Sequence, residues 1–184
     1  MSGAAFGQSS VIHASRLDGE SKQASDFTLF TQDAKTFTLS KDGAGRALLV
    51  TFIFTNCPGA CPLGVDECIE AAKQAGKGRS AKDRPLVLAV SFDPDVDTPA
   101  KLKQHMKENH LSPRDVVFLT GSKETIDKVV QDWGVSVGRD KKGEIFHGFQ
   151  TTVLDRSGLI VSQYFGAGIE KKDLLADVRT AATR

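Results

Sequence analysis

Two unbroken apolar runs dominate the chain, Ala47-Leu48-Leu49-Val50-Thr51-Phe52-Ile53-Phe54 and Pro85-Leu86-Val87-Leu88-Ala89-Val90-Ser91-Phe92. Neither alternates with polar residues, which predicts strands covered on both faces. Val116-Val117-Phe118-Leu119 predicts a third strand. Between the runs the apolar spacing changes to that of helices. One helix is expected from about Pro62 to Ala75, closed by Gly76-Lys77-Gly78. A second is capped by Thr98-Pro99 and runs to about Asn109. Ser122 caps a third, in which Ile126, Val129, Val130 and Trp133 share a face. Val135-Ser136-Val137 alternates as a short edge strand would.

Toward the C-terminus, Thr151–Leu154 and Leu159–Tyr164 predict a hairpin around Asp155-Arg156-Ser157-Gly158. A closing amphipathic helix uses Ile169, Leu174, Leu175 and Val178. Toward the N-terminus, Phe27–Phe30 and Thr36–Leu39 predict two short strands joined by a turn at Gln32-Asp33-Ala34. Residues 1–24, rich in Ser, Gly, Ala and Gln, are expected to be a flexible arm ahead of one domain over 25–184. A βαβ unit followed by ββα is the thioredoxin order. The predicted class is therefore α/β with a thioredoxin-like fold: a central mixed β-sheet flanked by helices, extended by an N-terminal β-hairpin.

Charge narrows the possible partners. The 24 basic and 23 acidic residues are interspersed and leave a net +1, so neither nucleic acid nor an anionic membrane surface is indicated. The longest apolar run falls far short of the ~20 residues that span a bilayer, and no signal peptide is read. Three cysteines are too few for a disulfide scaffold in 184 residues, and the odd count leaves one thiol unpaired within a chain. A monomer is expected.

The chemistry concentrates where the first apolar run meets the first helix, at Phe54-Thr55-Asn56-Cys57-Pro58-Gly59-Ala60-Cys61-Pro62. Proline at the first helical position would place Cys61 at the N-cap, where the helix favours a thiolate. Redox pairs of thioredoxin type have two residues between the cysteines, and this pair has three. Gly59 permits an open turn, so the sulfurs can close into a disulfide, exchange with a partner, or diverge around a soft ion such as Cu(I). Two thiolates rarely complete a metal site. Of the four histidines, His13 lies in the arm, and His105 and His110 lie on or after a lysine-rich helix. His147, in a loop entering the hairpin strand, is expected beside the cysteine-bearing strand. Thioredoxins place a cis-proline before that strand, whereas this chain has no proline after Pro113, which leaves the loop free to carry a ligand. Asp93-Pro94-Asp95-Val96-Asp97-Thr98-Pro99 follows the second core strand, where its carboxylates can attract a cation or cap the next helix. Cys68 is expected to be a small buried core residue.

Three motifs in this order resemble the Sco (SenC/PrrC-type) copper proteins. Cys57-Pro58-Gly59-Ala60-Cys61-Pro62 resembles their CPxxCP signature, and Asp93-Pro94 with Asp97-Thr98-Pro99 is similar to their DPxxDTP element. His147, eight residues before Asp155 in a Thr-Thr-Val-Leu-Asp-Arg-Ser-Gly run, is similar to their HxxxxxLxDxxG segment. The resemblance implies one copper ion, Cu(I) or Cu(II), on Cys57, Cys61 and His147. It implies copper delivery to the binuclear copper site of cytochrome c oxidase or to another cuproprotein, loading by an upstream donor, and a periplasmic or other extracytoplasmic location behind an N-terminal anchor that this chain does not show. The other reading is a thiol–disulfide oxidoreductase in which Cys57 and Cys61 are the redox-active pair. Besides the anchor, the chain departs from the family in a second respect: Gly148 follows His147 where a small hydroxyl residue is common.

Overall fold

In the computed structural model, which describes residues 15–18, 22–56, 60–139, 145–166 and 168–184, the two long apolar runs form adjacent parallel strands at the heart of an eight-stranded sheet. In chain order the elements are β1 (Ser15–Asp18), β2 (Thr28–Thr31), β3 (Thr36–Thr38), α1 (Leu39–Asp42), β4 (Leu48–Ile53), α2 (Ala60–Ala75), β5 (Leu86–Ser91) and α3 (Pro99–Glu108). There follow β6 (Val116–Thr120), α4 (Lys123–Asp132), β7 (Val137–Arg139), β8 (Ile145–His147), β9 (Gln150–Leu154), β10 (Ile160–Phe165) and α5 (Lys171–Ala181). The sheet order is β1-β10-β9-β4-β5-β6-β2-β3, with β4, β5 and β6 parallel and the remaining pairs antiparallel. Its β4-α2-β5 and β9-β10-α5 units make the fold thioredoxin-like, and the β2-β3 hairpin extends the far edge.

The missing alternation in β4 and β5 has a direct cause. Leu49 and Ile53, with Val87 and Ala89, face a core built by α2, α3 and α5. Leu48, Val50 and Phe52, with Leu86, Leu88 and Val90, face a second core that holds Trp133, Ile126 and the N-terminal hairpin. Every second residue thus serves one face and its neighbour the other, and both faces are apolar. Cys68 is fully buried in the first core, its sulfur 3.8 Å from Thr151 Oγ1.

Side-chain caps form where the sequence places them. Thr98 Oγ1 accepts from the Lys101 N–H at 3.3 Å and Ser122 Oγ from the Thr125 N–H at 3.2 Å. Three expectations change. Ser15–Asp18, assigned to the arm, instead forms β1 and pairs with β10, while residues 1–14 lie outside the described residues. Arg16 explains this: its Nε and Nη2 each donate to Asp177 at 2.9 Å, and Tyr164 donates to the same carboxyl at 2.5 Å. Helix α2 starts at Ala60, so Cys61 is inside its first turn and not at the N-cap. Pro62 still falls among residues whose N–H has no helical acceptor, where proline costs no hydrogen bond. Finally, the edge strand expected at residues 135–137 is β7, shifted toward Arg139 and paired with β8 in a separate two-stranded ribbon.

Two outcomes are expected. Burial is the largest single effect and alone would raise the Asp177 carboxyl, but the hydrogen bonds from Arg16 and the neighbouring hydroxyls, with the Arg16 charge, together outweigh it and hold the group below its ordinary 3.8. Its contribution is therefore present above that value and lost as pH falls through the folded pKa. Asp177→Asn should cost about 1–3 kcal/mol at neutral pH, and the gap to wild type in urea midpoint should narrow in acid. Burial pushes the Cys68 thiol up to about 12, so in reduced native protein an alkylating reagent should leave Cys68 unmodified until denaturant is added, as peptide mass mapping would read.

Candidate metal centre

The cysteine segment hangs between the end of β4 and the start of α2, and its approach is held by a buried carboxyl. Asp97 has no exposed surface. Its Oδ2 accepts from the Thr55 N–H at 3.0 Å and from Ser91 Oγ at 2.6 Å, while Thr55 Oγ1 donates to Oδ1. Ser91 Oγ in turn accepts from the Asp93 N–H at 3.1 Å, and the Asp97 N–H donates to the Asp93 carbonyl at 2.8 Å. The loop after β5 thus closes on itself and grips the residue two positions before Cys57. Phe54 packs on Phe92 beside it, ring centroids 5.3 Å apart. Asp93 is also buried, so neither Asp93 nor Asp97 is the open cation site that the sequence allowed. Thr98 caps α3 as expected, while Asp97 holds the neighbouring turn.

The histidine arrives from the other side of β4. His147 ends β8, opposite Val137 of β7, so it belongs to a paired ribbon and not to the loop expected from the sequence. The Gly148 N–H donates to Ser136 O at 2.8 Å, Gln150 Nε2 to Trp133 O at 3.0 Å, and Thr51 Oγ1 to Gln150 O at 3.3 Å. Thr51 and Thr151 are partners in the antiparallel β4–β9 pair. Going forward from Thr51 leads to Cys57, and going backward from Thr151 leads to His147. Both paths leave the sheet at the same end, the carboxyl ends of the parallel strands. Cys57 itself and the side chains of Cys61 and His147 lie outside the described residues.

The remaining candidates serve other purposes. His105 is half-buried on α3 with its ring edge-on to Phe118 at 5.6 Å, and burial pushes its pKa down. His110 is exposed and adopts φ 54°, ending the turn after α3. Among the described residues, no group of three His, Cys, Asp or Glu side chains is placed to hold a metal. Thr55 and Ser91 are the functional residues that sequence reasoning passed over. The available signal was a serine at the end of an otherwise apolar strand, which a buried hydroxyl must satisfy with a partner.

Asp97→Ala would strand three donors in a dry site. It should destabilise the protein by about 2–3 kcal/mol in urea unfolding, with the largest amide chemical-shift changes at Thr55 and Asn56.

Residues 15–183 match the SCO1/SenC family model. The human mitochondrial SCO1 homolog is 29% identical over 159 residues, covering 84% of this chain and 51% of that protein. This chain therefore spans about half the length of that relative. The structure of Bradyrhizobium japonicum ScoI with copper bound superposes with TM-score 0.71 at 27% identity, covering 87% of this chain and 99% of that one. BsSco, a member of the Sco family of cytochrome c oxidase assembly proteins with an identified disulfide switch, superposes with TM-score 0.72 at 26% identity over 90% of this chain and 96% of its own. No helix among the described residues is long and apolar enough to cross a membrane. With the family match covering nearly its whole length, the chain belongs to the SCO1/SenC family.

Proposed function

We propose that this chain is a copper metallochaperone that carries one copper ion on Cys57, Cys61 and His147 and delivers it for assembly of the binuclear copper site of cytochrome c oxidase. The observation that carries this reading is topological. The segment from the end of β4 into the first turn of α2, which carries both cysteines, and the segment from the end of β8 into β9, which carries His147, meet the sheet at one end, on either side of the Thr51–Thr151 pair. The copper held by Bradyrhizobium japonicum ScoI, a relative of nearly the same fold and extent, supports copper as the cargo.

The residues divide the work. The first turn of α2 presents unpaired N–H groups that favour thiolate at Cys61. The Asp97 clamp fixes the turn entering Cys57, while the β7–β8 ribbon carries His147 independently. Two thiolates and one imidazole suit Cu(I) and also accept Cu(II), and low coordination leaves the ion open to capture by a recipient's ligands. An upstream donor loads the site, and the copper-site subunit of the oxidase, or another cuproprotein, receives the ion. The setting is extracytoplasmic, in keeping with the mitochondrial relative, with the domain held near a membrane.

The disulfide switch of BsSco favours a second reading, thiol–disulfide exchange. In it the Cys57 and Cys61 thiols become a disulfide, giving up two electrons and two protons to a partner disulfide, which becomes two thiols.

Copper titration of reduced protein, followed by Cu(II)–thiolate absorption, separates the two. One copper per chain is expected, and Cys57→Ser, Cys61→Ser and His147→Ala should each weaken Cu(II) binding by more than about 100-fold. If His147→Ala bound both copper states as wild type does, the three-ligand site would be abandoned. Disulfide reductase activity that survived His147→Ala and ignored copper would establish the second reading.

A further inference from the structure

At the opposite end of the sheet, outside the amino ends of β4, β5 and β6 and under the last turn of α2, lies a cleft of about 910 Å³. Arg46 enters it from the segment before β4, Arg84 from before β5, Arg114 from before β6, and Lys73 and Lys77 from the end of α2. Asp115 is the one carboxylate in the lining and is paired with Lys73 at 3.1 Å. Five cations against one carboxylate give this cleft a net +4 on a chain whose total is only +1. Lysines at a helix C-terminus answer the helix dipole, but the three arginines are not on that helix.

The arginines are positioned by the backbone. Arg46 Nε donates to the Arg84 carbonyl at 2.9 Å. Gly76 lets the Arg84 stem lie across the end of α2, since a Cβ there would come within 3.2 Å of Arg84 Cγ. No carboxylate among the described residues forms an ion pair with Arg46, Lys77, Arg84 or Arg114. Burial of Arg46 pushes its pKa down, the mark of a guanidinium short of compensating charge. Ile69, Pro85 and Val117 give the cleft an apolar wall.

We propose that this cleft binds a phosphate-bearing small molecule through Arg46, Arg84, Arg114 and Lys77. Arginine forks match phosphate oxygens two at a time. Several negative charges in a small volume are what a net +4 cleft requires, and phosphate supplies them where one carboxylate does not. The cations converge on a concavity of small-ligand size, about 300–1,000 Å³, and do not spread along a stripe that would track nucleic acid. The cleft shares no residue with the proposed copper site, and the β4–α2 connection leaves the sheet at its other end.

The test is calorimetric titration of the full chain with tripolyphosphate, alongside co-sedimentation with vesicles of phosphatidylcholine alone or mixed with phosphatidylglycerol. Saturable one-to-one binding is expected, weakened at least about tenfold by Arg46→Gln/Arg84→Gln. Lys41→Gln/Lys107→Gln, with the same charge change outside the cleft, should bind as wild type does. Should Arg46→Gln loosen the start of β4, the exposed pair Lys77→Gln/Arg114→Gln carries the same expectation. Absence of saturable binding, or equal loss in the Lys41/Lys107 control, would overturn the proposal. So would retention by phosphatidylglycerol vesicles that tripolyphosphate fails to displace, which would assign the cleft to a membrane surface.

Discussion

The arrangement at the cysteine end depends on one buried carboxyl. Asp97 accepts from the Thr55 main chain, the Thr55 hydroxyl and the Ser91 hydroxyl, and in doing so joins the end of β4 to the loop after β5. A carboxyl with no exposed surface must find its partners inside the protein, because the cost of leaving it unpaired exceeds what packing can recover. That requirement works in both directions. It draws the turn before Cys57 against the sheet, and it sets the loop from which Thr98 caps α3. The segment carrying the cysteines therefore starts from a fixed point, whatever conformations the sulfurs adopt beyond it.

The two-sided core makes such a fixed point possible. With β4 and β5 covered on both faces, their side chains are spoken for by packing, and only the strand ends are left for chemistry. The carboxyl ends carry the cysteine and histidine connections, while the amino ends carry the arginines. The two proposed sites lie at opposite ends of one sheet and share no residues.

Features set by local chemistry were readable in the sequence. The central strands announce themselves because cover on both faces removes the alternation that marks a half-exposed strand, and Thr98 and Ser122 do so because a cap is settled within three residues. What escaped was long-range. β1 is four residues of unremarkable composition, made into a strand by Arg16 reaching Asp177, 161 positions away. The grip on Thr55 comes from 42 residues downstream. His147 looked like a loop residue because its partner strand, β7, lies across a connection that carries no apolar pattern. The family was legible through resemblance, since the residue types and spacing around Cys57, Cys61 and His147 match its motifs without coordinates.

Cys68 bears on which sulfurs can meet. In the unfolded chain three cysteines allow three pairings, two of them wrong for any chemistry at the helix terminus. Folding seals Cys68 in the core against Thr151, so in the native chain the two pairings that involve it are closed. Any disulfide made within the native chain, and any exchange with a partner, is restricted to the pair at positions 57 and 61. The core thus withholds one of the three sulfurs from whatever chemistry the chain performs.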